Sequence, residues 1–199
     1  MTISTEFTDL RNRAWTTSGS RYNASRRLRT RSKLSLAAIA LISAIGVAVP
    51  LLMASRSFSV HGSDLALYSS LLSLFILVVA IIEGAAGYDA KADALFRNAE
   101  QLNAFRMKVN VILVDEASQQ VGMLHQMIAE YEQIKASCAL NHEVVDFNLF
   151  KAKNPADFGL TSSGSRTLLS SIYWGIYSTW WLALISMAAI AGLLCVLAT

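Results

Sequence analysis

The sequence predicts an all-α integral membrane protein. Two paired transmembrane helices continue into a cytoplasmic helical hairpin, and a third C-terminal membrane helix follows. Three observations predict this class. Leu34–Ser55 is a run of 22 residues without a charge, and eight Arg/Lys crowd the stretch from Arg11 to Lys33 just before it. Two more uncharged apolar runs follow, Leu65–Ile82 and Leu168–Thr199. Beyond the second run, apolar residues recur at helical spacing in an otherwise polar sequence. Charged residues make up only 16% of the 199, against about 25% in an ordinary soluble domain. The shortfall is concentrated in the three runs, as a bilayer requires.

The first run reaches roughly 33 Å as a helix at about 1.5 Å per residue, which matches a hydrocarbon core about 30 Å thick. It starts too deep in the chain, and runs too long, for the core of a cleaved signal peptide. Pro50, near its outer end, permits a kink. The second run is short and ends at Glu83. The third is too long for one upright span. Its Tyr173, Trp174, Tyr177, Trp180 and Trp181 suit a headgroup-level aromatic belt, which leaves about 182–198 as its buried part. Orientation follows from basic residues near the span ends. Arg21, Arg26, Arg27, Arg29, Arg31 and Lys33 precede span one, and Arg56 is the single cation of the loop to span two. The N-terminus is therefore expected in the cytoplasm of a multi-pass inner-membrane protein, with a short external loop.

The expected organisation is a basic cytoplasmic arm (1–33), a transmembrane pair (34–82), a cytoplasmic helical hairpin (83–140), a linker (141–167) and the C-terminal membrane segment (168–199). In the arm, Phe7, Leu10 and Ala14 share a helical face, Ser18-Gly19-Ser20 is expected to break the helix, and a second helix runs from there into span one. After span two the helix is expected to continue. Tyr88, Ala92, Leu95, Ala99, Leu102, Val109 and Leu113 alternate in steps of four and three, with Arg106 in the slot between Leu102 and Val109. That is the period of a helix packed on a helix. Asp115–Gln120 turns the chain, and Val121, Leu124, Ile128, Tyr131, Ile134 and Cys138 form the answering stripe of an antiparallel hairpin. Asn154-Pro155 and the Ser/Gly stretch near 163 mark the linker.

No Gly-rich phosphate loop, nucleophile elbow or paired metal motif occurs. No catalytic, metal or cofactor residue is assigned, and an enzyme is not expected. His142, Glu143 and Asp146 can be drawn as a metal group, but no further ligand is visible; a turn or interhelix polar contact is the simpler reading. Cys138 and Cys195 lack metal spacing. Candidate pore or helix-packing residues are Ser69, Ser73, Ala80, Glu83, Gly84 and Gly87 on span two, where small side chains let helices approach closely. Glu83 has three readings: a boundary marker, a partner for an arginine of the 26–31 cluster, or a pore-mouth group. The candidate headgroup or topology residues are Arg21, Arg26, Arg27, Arg29, Arg31 and Lys33, each worth about 1 kcal/mol near an anionic surface. Their tether to an acidic membrane, within a Debye length of about 10 Å, argues against nucleic acid as their ligand.

Four stretches resemble a known family. They are Arg21-Tyr22-Asn23-Ala24-Ser25-Arg26-Arg27-Leu28 before a span; the paired spans with a short loop; Glu83, Tyr88, Ala92, Leu95, Asn98, Leu102 and Asn103; and Tyr131, Ile134, Asn141-His142 and Asp146-Phe147. Together they resemble the SLATT family, the SMODS and SLOG-associating two-transmembrane effector domains, and most closely the subfamily often found with reverse transcriptases. The resemblance implies a homo-oligomeric, pore-forming effector of bacterial antiphage defence. Such an effector permeabilises the inner membrane when a sensor protein or nucleotide signal acts on its cytoplasmic part. A membrane anchor that recruits a soluble partner through the hairpin, and a constitutive small channel, are the rival expectations. The lipid bilayer is the one partner that composition itself implies.

Overall fold

The computed structural model describes residues 2–55, 62–115, 119–160, 167, 169–177 and 187, with side chains left undescribed at 49–55 and 62–66. Among the described residues, α-helices run in the order α1 (Ile3–Ser55), α2 (Gly62–Ala86), α3 (Tyr88–Val114), α4 (Val121–Ala136) and α5 (Val144–Lys153), then a 3-10 turn, Ala156–Phe158. Residues 169–177 are also helical. No strand occurs among the described residues. The chain divides into two compact units. The first joins Met1–Arg29 to Asp89–Gly175, and the second joins Thr30–Tyr88 to Ile176–Thr199.

The core of the first unit is built from three helices. Phe7, Leu10 and Ala14 of α1 pack with Leu102, Phe105, Val109 and Ile112 of α3 and with Met127 and Tyr131 of α4 in one core. Phe7, Leu102 and Val109 are fully buried, each worth roughly 1.5–3 kcal/mol of transfer free energy. The pairs Lys108–Glu130, Phe105–Tyr131 and Asn98–Ser137 run in opposite order along α3 and α4, so these two helices form the antiparallel hairpin. The N-terminal part of α1 supplies the third wall of its core rather than lying apart as an arm.

Three local features differ from the sequence reading. The helix does not break at Ser18-Gly19-Ser20. Ser18 Oγ and Ser20 Oγ donate back to the carbonyls of Trp15 and Thr16 at 2.9 Å each, so their hydroxyls are satisfied without leaving the helix. The absent Gly19 side chain makes room for the Phe150 ring. Second, the helix after span two does stop. Gly87 adopts φ 60, a left-handed conformation that costs glycine little, and it separates α2 from α3. Third, the stretch expected as a linker contains α5 and the 3-10 turn. Val145, Leu149, Phe150 and Ala152 of α5 are buried, a stripe too short to stand out from sequence. In the hairpin, Met127 takes the buried position, while Val121 and Ile128 of the expected stripe are exposed.

In the second unit, α1 and α2 cross close together around Gly46. Ser69 Oγ donates to the Gly46 carbonyl at 3.0 Å, and Ile42, Ser69 and Leu72 are buried. Beyond that contact α2 shows an uncovered apolar face: Leu67, Leu71, Leu74, Val78, Ile81 and Ile82 are all exposed. The most apolar 18-residue windows within Ile3–Ala48 and Leu67–Val114 have mean hydropathies of 1.5 and 2.2, and only 17% and 6% of them are buried. A soluble core helix would bury most of such a stretch; exposure of this kind fits hydrocarbon. Most of the expected third membrane segment, including Trp180, Trp181 and Cys195, lies outside the described residues.

Candidate functional site

Two polar clusters gather the residues singled out from sequence. The first lies at the ends of the two apolar helices. Glu83 follows the last apolar residue of span two, and Arg31 and Ser35 flank the start of span one. Ser35 Oγ donates to Glu83 Oε2 at 2.7 Å, and Arg31 Nη2 to Oε1 at 3.5 Å. The Glu83 side chain is only 10% exposed, so an unpaired carboxylate here would be costly; the pair and the serine offset that cost. Arg31 also lies over the Tyr88 ring, 4.3 Å from its centroid. The ion pair joins the two predicted inner ends, so α1 and α2 are paired in register at that edge. Of the remaining candidates on α2, Ser69 packs on α1 and Ser73 Oγ donates back to Ser69 at 2.9 Å from an exposed position. Ala80 is half-buried and Gly84 exposed.

The second cluster, in the first unit, is centred on Asp146, which is fully buried. Arg27 clamps its carboxylate from two sides, Nε to Oδ1 at 3.0 Å and Nη2 to Oδ2 at 2.9 Å. Trp174 Nε1 donates to Oδ1 at 3.0 Å, and the Glu143 amide to Oδ2 at 3.0 Å, which caps the start of α5. Asn23 Nδ2 reaches the Asp146 carbonyl at 3.0 Å. One carboxylate therefore ties α1, α5 and the 169–177 segment together. Fork-to-fork pairing of this kind is the strong form of a charged hydrogen bond.

Arg21, equally buried, takes a different partner. Its Nη1 donates to Asn98 Oδ1, and Asn98 Nδ2 passes the network on to the Ile134 carbonyl at 2.6 Å and to Ser137 Oγ at 3.0 Å. Burial lowers the Arg21 pKa, with Cys138 and Tyr131 pulling the other way. His142 borders the same cluster, and its buried Nδ1 has no partner among the described residues. Desolvation lowers its pKa most, Asp146 raises it, Arg21 lowers it and Glu143 raises it, for a net fall.

These positions change the reading of the arginine-rich stretch. Arg21 and Arg27 point into the protein and cannot reach a headgroup, because Asn98 and Asp146 offer them buried acceptors. Arg29 pairs with Asp93 at 2.6 Å on the surface, and Arg26 and Lys33 are exposed. Trp174 donates to Asp146 instead of joining a headgroup belt. The importance of Asp146 was hard to see in the sequence. The sequence marks it only through the His142, Glu143 and Asp146 group and the Asp146-Phe147 pair of the family resemblance, and neither points to Arg27 as its partner.

A family model described as SMODS and SLOG-associating 2TM effector domain family 5 matches residues 3–196. The chain belongs to that family. Neither a curated protein nor a solved structure matches it. For this 2TM effector domain, the hydropathy pattern assigns the two membrane helices to the second part of α1 and to α2, with Arg31, Ser35 and Glu83 at one edge of the pair. The match indicates an effector domain and no enzyme family. The Asp146 cluster accordingly reads as an internal fastening of the helical unit, with every carboxylate lone pair directed at a donor.

Proposed function

We propose that the chain is a homo-oligomeric effector that permeabilises the bacterial inner membrane when triggered, within an antiphage conflict system based on nucleotide signalling or linked to a reverse transcriptase. The observation that carries this reading is the uncovered face of α2. α1 covers the Ser69–Leu72 side of the helix, while Leu71, Leu74, Val78 and Ile81 remain exposed and Ser73 sits at the margin with its hydroxyl turned to its own backbone. Two spans enclose no channel, so a pore needs several chains, and small or hydroxylated margins let helices associate in lipid. Membership of an effector-domain family supports the same reading. The first unit would receive the signal. α1 contributes to both units, so a rearrangement in the first has a covalent route to the second. A trigger works only by binding two states of the chain unequally.

The test is dye and ion leakage across the inner membrane of cells expressing the chain with its neighbouring gene products, before and after infection. Wild type is expected to leak only after the trigger. Ser73→Leu and Glu83→Ala, at unchanged protein level, are expected to reduce leakage at least tenfold. Recruitment of a soluble partner without leakage in any condition would replace the pore with an anchor, and leakage before the trigger would indicate a constitutive channel.

A further inference from the structure

A pocket of about 260 Å³ in the first unit is unused by the reading above. It is formed where α1, α3 and the 3-10 turn meet, and it is lined by Arg11, Asn12, Trp15, Arg106, Asn110 and Asp157. Arg106 is the residue that interrupts the apolar stripe of α3. Its neighbours in that stripe, Leu102 and Val109, are fully buried, whereas Arg106 is half-buried with its guanidinium 5.9 Å from the Trp15 ring centroid. Among the described residues no hydrogen bond or ion pair reaches that guanidinium. Arg11 is held at the other side, its Nε and Nη2 both donating to Asn12 Oδ1 at 3.2 and 3.0 Å, which leaves Nη1 uncommitted. Asp157 lines the same pocket, yet neither arginine forms an ion pair with it.

The pocket thus offers two guanidinium groups and two side-chain amides against one carboxylate. Guanidinium forks match the spacing of oxyanion oxygens. A carboxylate offers about four acceptor positions, too few for the Arg106 fork, the uncommitted Arg11 Nη1 and both amides together, whereas a phosphate monoester has three terminal oxygens and close to two negative charges. The volume accommodates a phosphate with a small substituent, and Asp157 opposes any longer polyanion. We propose that this pocket binds a phosphomonoester, its terminal phosphate held between Arg11 and Arg106 with Asn12 and Asn110 donating to it. The phosphate belongs to a soluble metabolite, since Arg11 lies about 35 Å along the continuous α1 helix from Leu34, too far for a bilayer headgroup. Such a ligand would bridge α1 to α3 and so favour the packed form of this unit.

The experiment is a titration of the full chain in detergent with glycerol 3-phosphate, inorganic phosphate and dioctanoyl phosphatidate, each read by isothermal calorimetry. Saturable binding of glycerol 3-phosphate is expected, weakened tenfold or more by Arg11→Gln and by Arg106→Gln and unchanged by Arg13→Gln. Binding of inorganic phosphate or phosphatidate without glycerol 3-phosphate overturns a phosphomonoester metabolite as the ligand. Absence of saturable binding, or equal weakening by Arg13→Gln, overturns the proposal. If circular dichroism shows that an arginine variant is misfolded, Asp157→Asn decides. Removal of the opposing charge is expected to tighten binding several-fold, and unchanged or weaker binding overturns the site.

Discussion

Arg27 and Asp146 form a pair whose cost and benefit are both large. Side-chain exposures of 11% and 0% mean that both charges have left water, which costs several kcal/mol per ion before pairing offsets it. Truncating one partner therefore does more damage than the pair itself contributes. Arg27→Ala is expected to destabilise the first unit by about 3–5 kcal/mol, because Asp146 is left buried with two of its four donors gone. Arg27→Met with Asp146→Leu, which removes both members of the buried pair, is expected to recover part of that loss. Guanidinium unfolding of the detergent-solubilised chain, followed by tryptophan fluorescence, measures both; a double variant as unstable as Arg27→Ala would mean that the network matters through packing. These residues show why the sequence was only partly legible at this scale. An arginine ahead of a transmembrane run reads as topology, since the acceptors that bury Arg21 and Arg27 lie at 98 and 146, far along the chain. Glu83 was more legible because its place at the end of an apolar run left few ways to satisfy it, and Arg31 was among the partners expected.

Helix identity was mostly readable, while helix ends were not. The α1 stripe of Phe7, Leu10 and Ala14, and Ala92, Leu95, Ala99, Leu102 and Val109 of α3, are all buried, because periodicity reports which face meets a neighbour. Ser18-Gly19-Ser20 and Gly87 depart from the sequence pattern in opposite senses, the first continuing a helix and the second ending one. Both hinge on what glycine does: at Gly87 it supplies a backbone conformation, at Gly19 it supplies space. A Cβ at Gly19 would stand 2.8 Å from Phe150 Cζ and closer still to Cδ2 and Cε2. The ring has little room to retreat, since Trp15 lies edge-on at 4.9 Å and Phe158 at 6.0 Å between centroids. Helix propensity alone would make Gly19→Ala stabilising by about 1 kcal/mol. Overpacking is expected to reverse the sign, to a loss of about 1–3 kcal/mol, and Phe150→Leu in the same chain is expected to restore part of it. Thermal unfolding of the two variants decides; a raised melting temperature for Gly19→Ala alone would mean that α5 moves aside freely.

At the scale of the whole chain, connectivity constrains topology before any charge is counted. The first unit is assembled from residues before 30 and residues after 88, and its core mixes Phe7 and Leu10 with Leu102 and Val109. Both segments must lie on one side of the membrane, so the chain crosses an even number of times between them, as the two apolar helices of the family allow. Which side is a question of charge. Arg21, Arg26, Arg27, Arg29, Arg31 and Lys33 stand against Arg56, and from the positive-inside rule for span flanks we propose that the first unit lies in the cytoplasm. That two of these arginines are buried in the folded unit does not weaken the count, because orientation is set as the chain inserts. Cys138 reports the outcome directly. It is half-buried and lines an open groove of about 570 Å³ between α3 and the end of α4, within reach of a small reagent. In a Cys195→Ser background, a membrane-impermeant maleimide is expected to label Cys138 in inverted membrane vesicles and to leave it unlabelled in intact spheroplasts. Labelling in spheroplasts would place the first unit outside the cell. An intracellular trigger could then not reach it, and the effector mechanism would have to begin from an external signal.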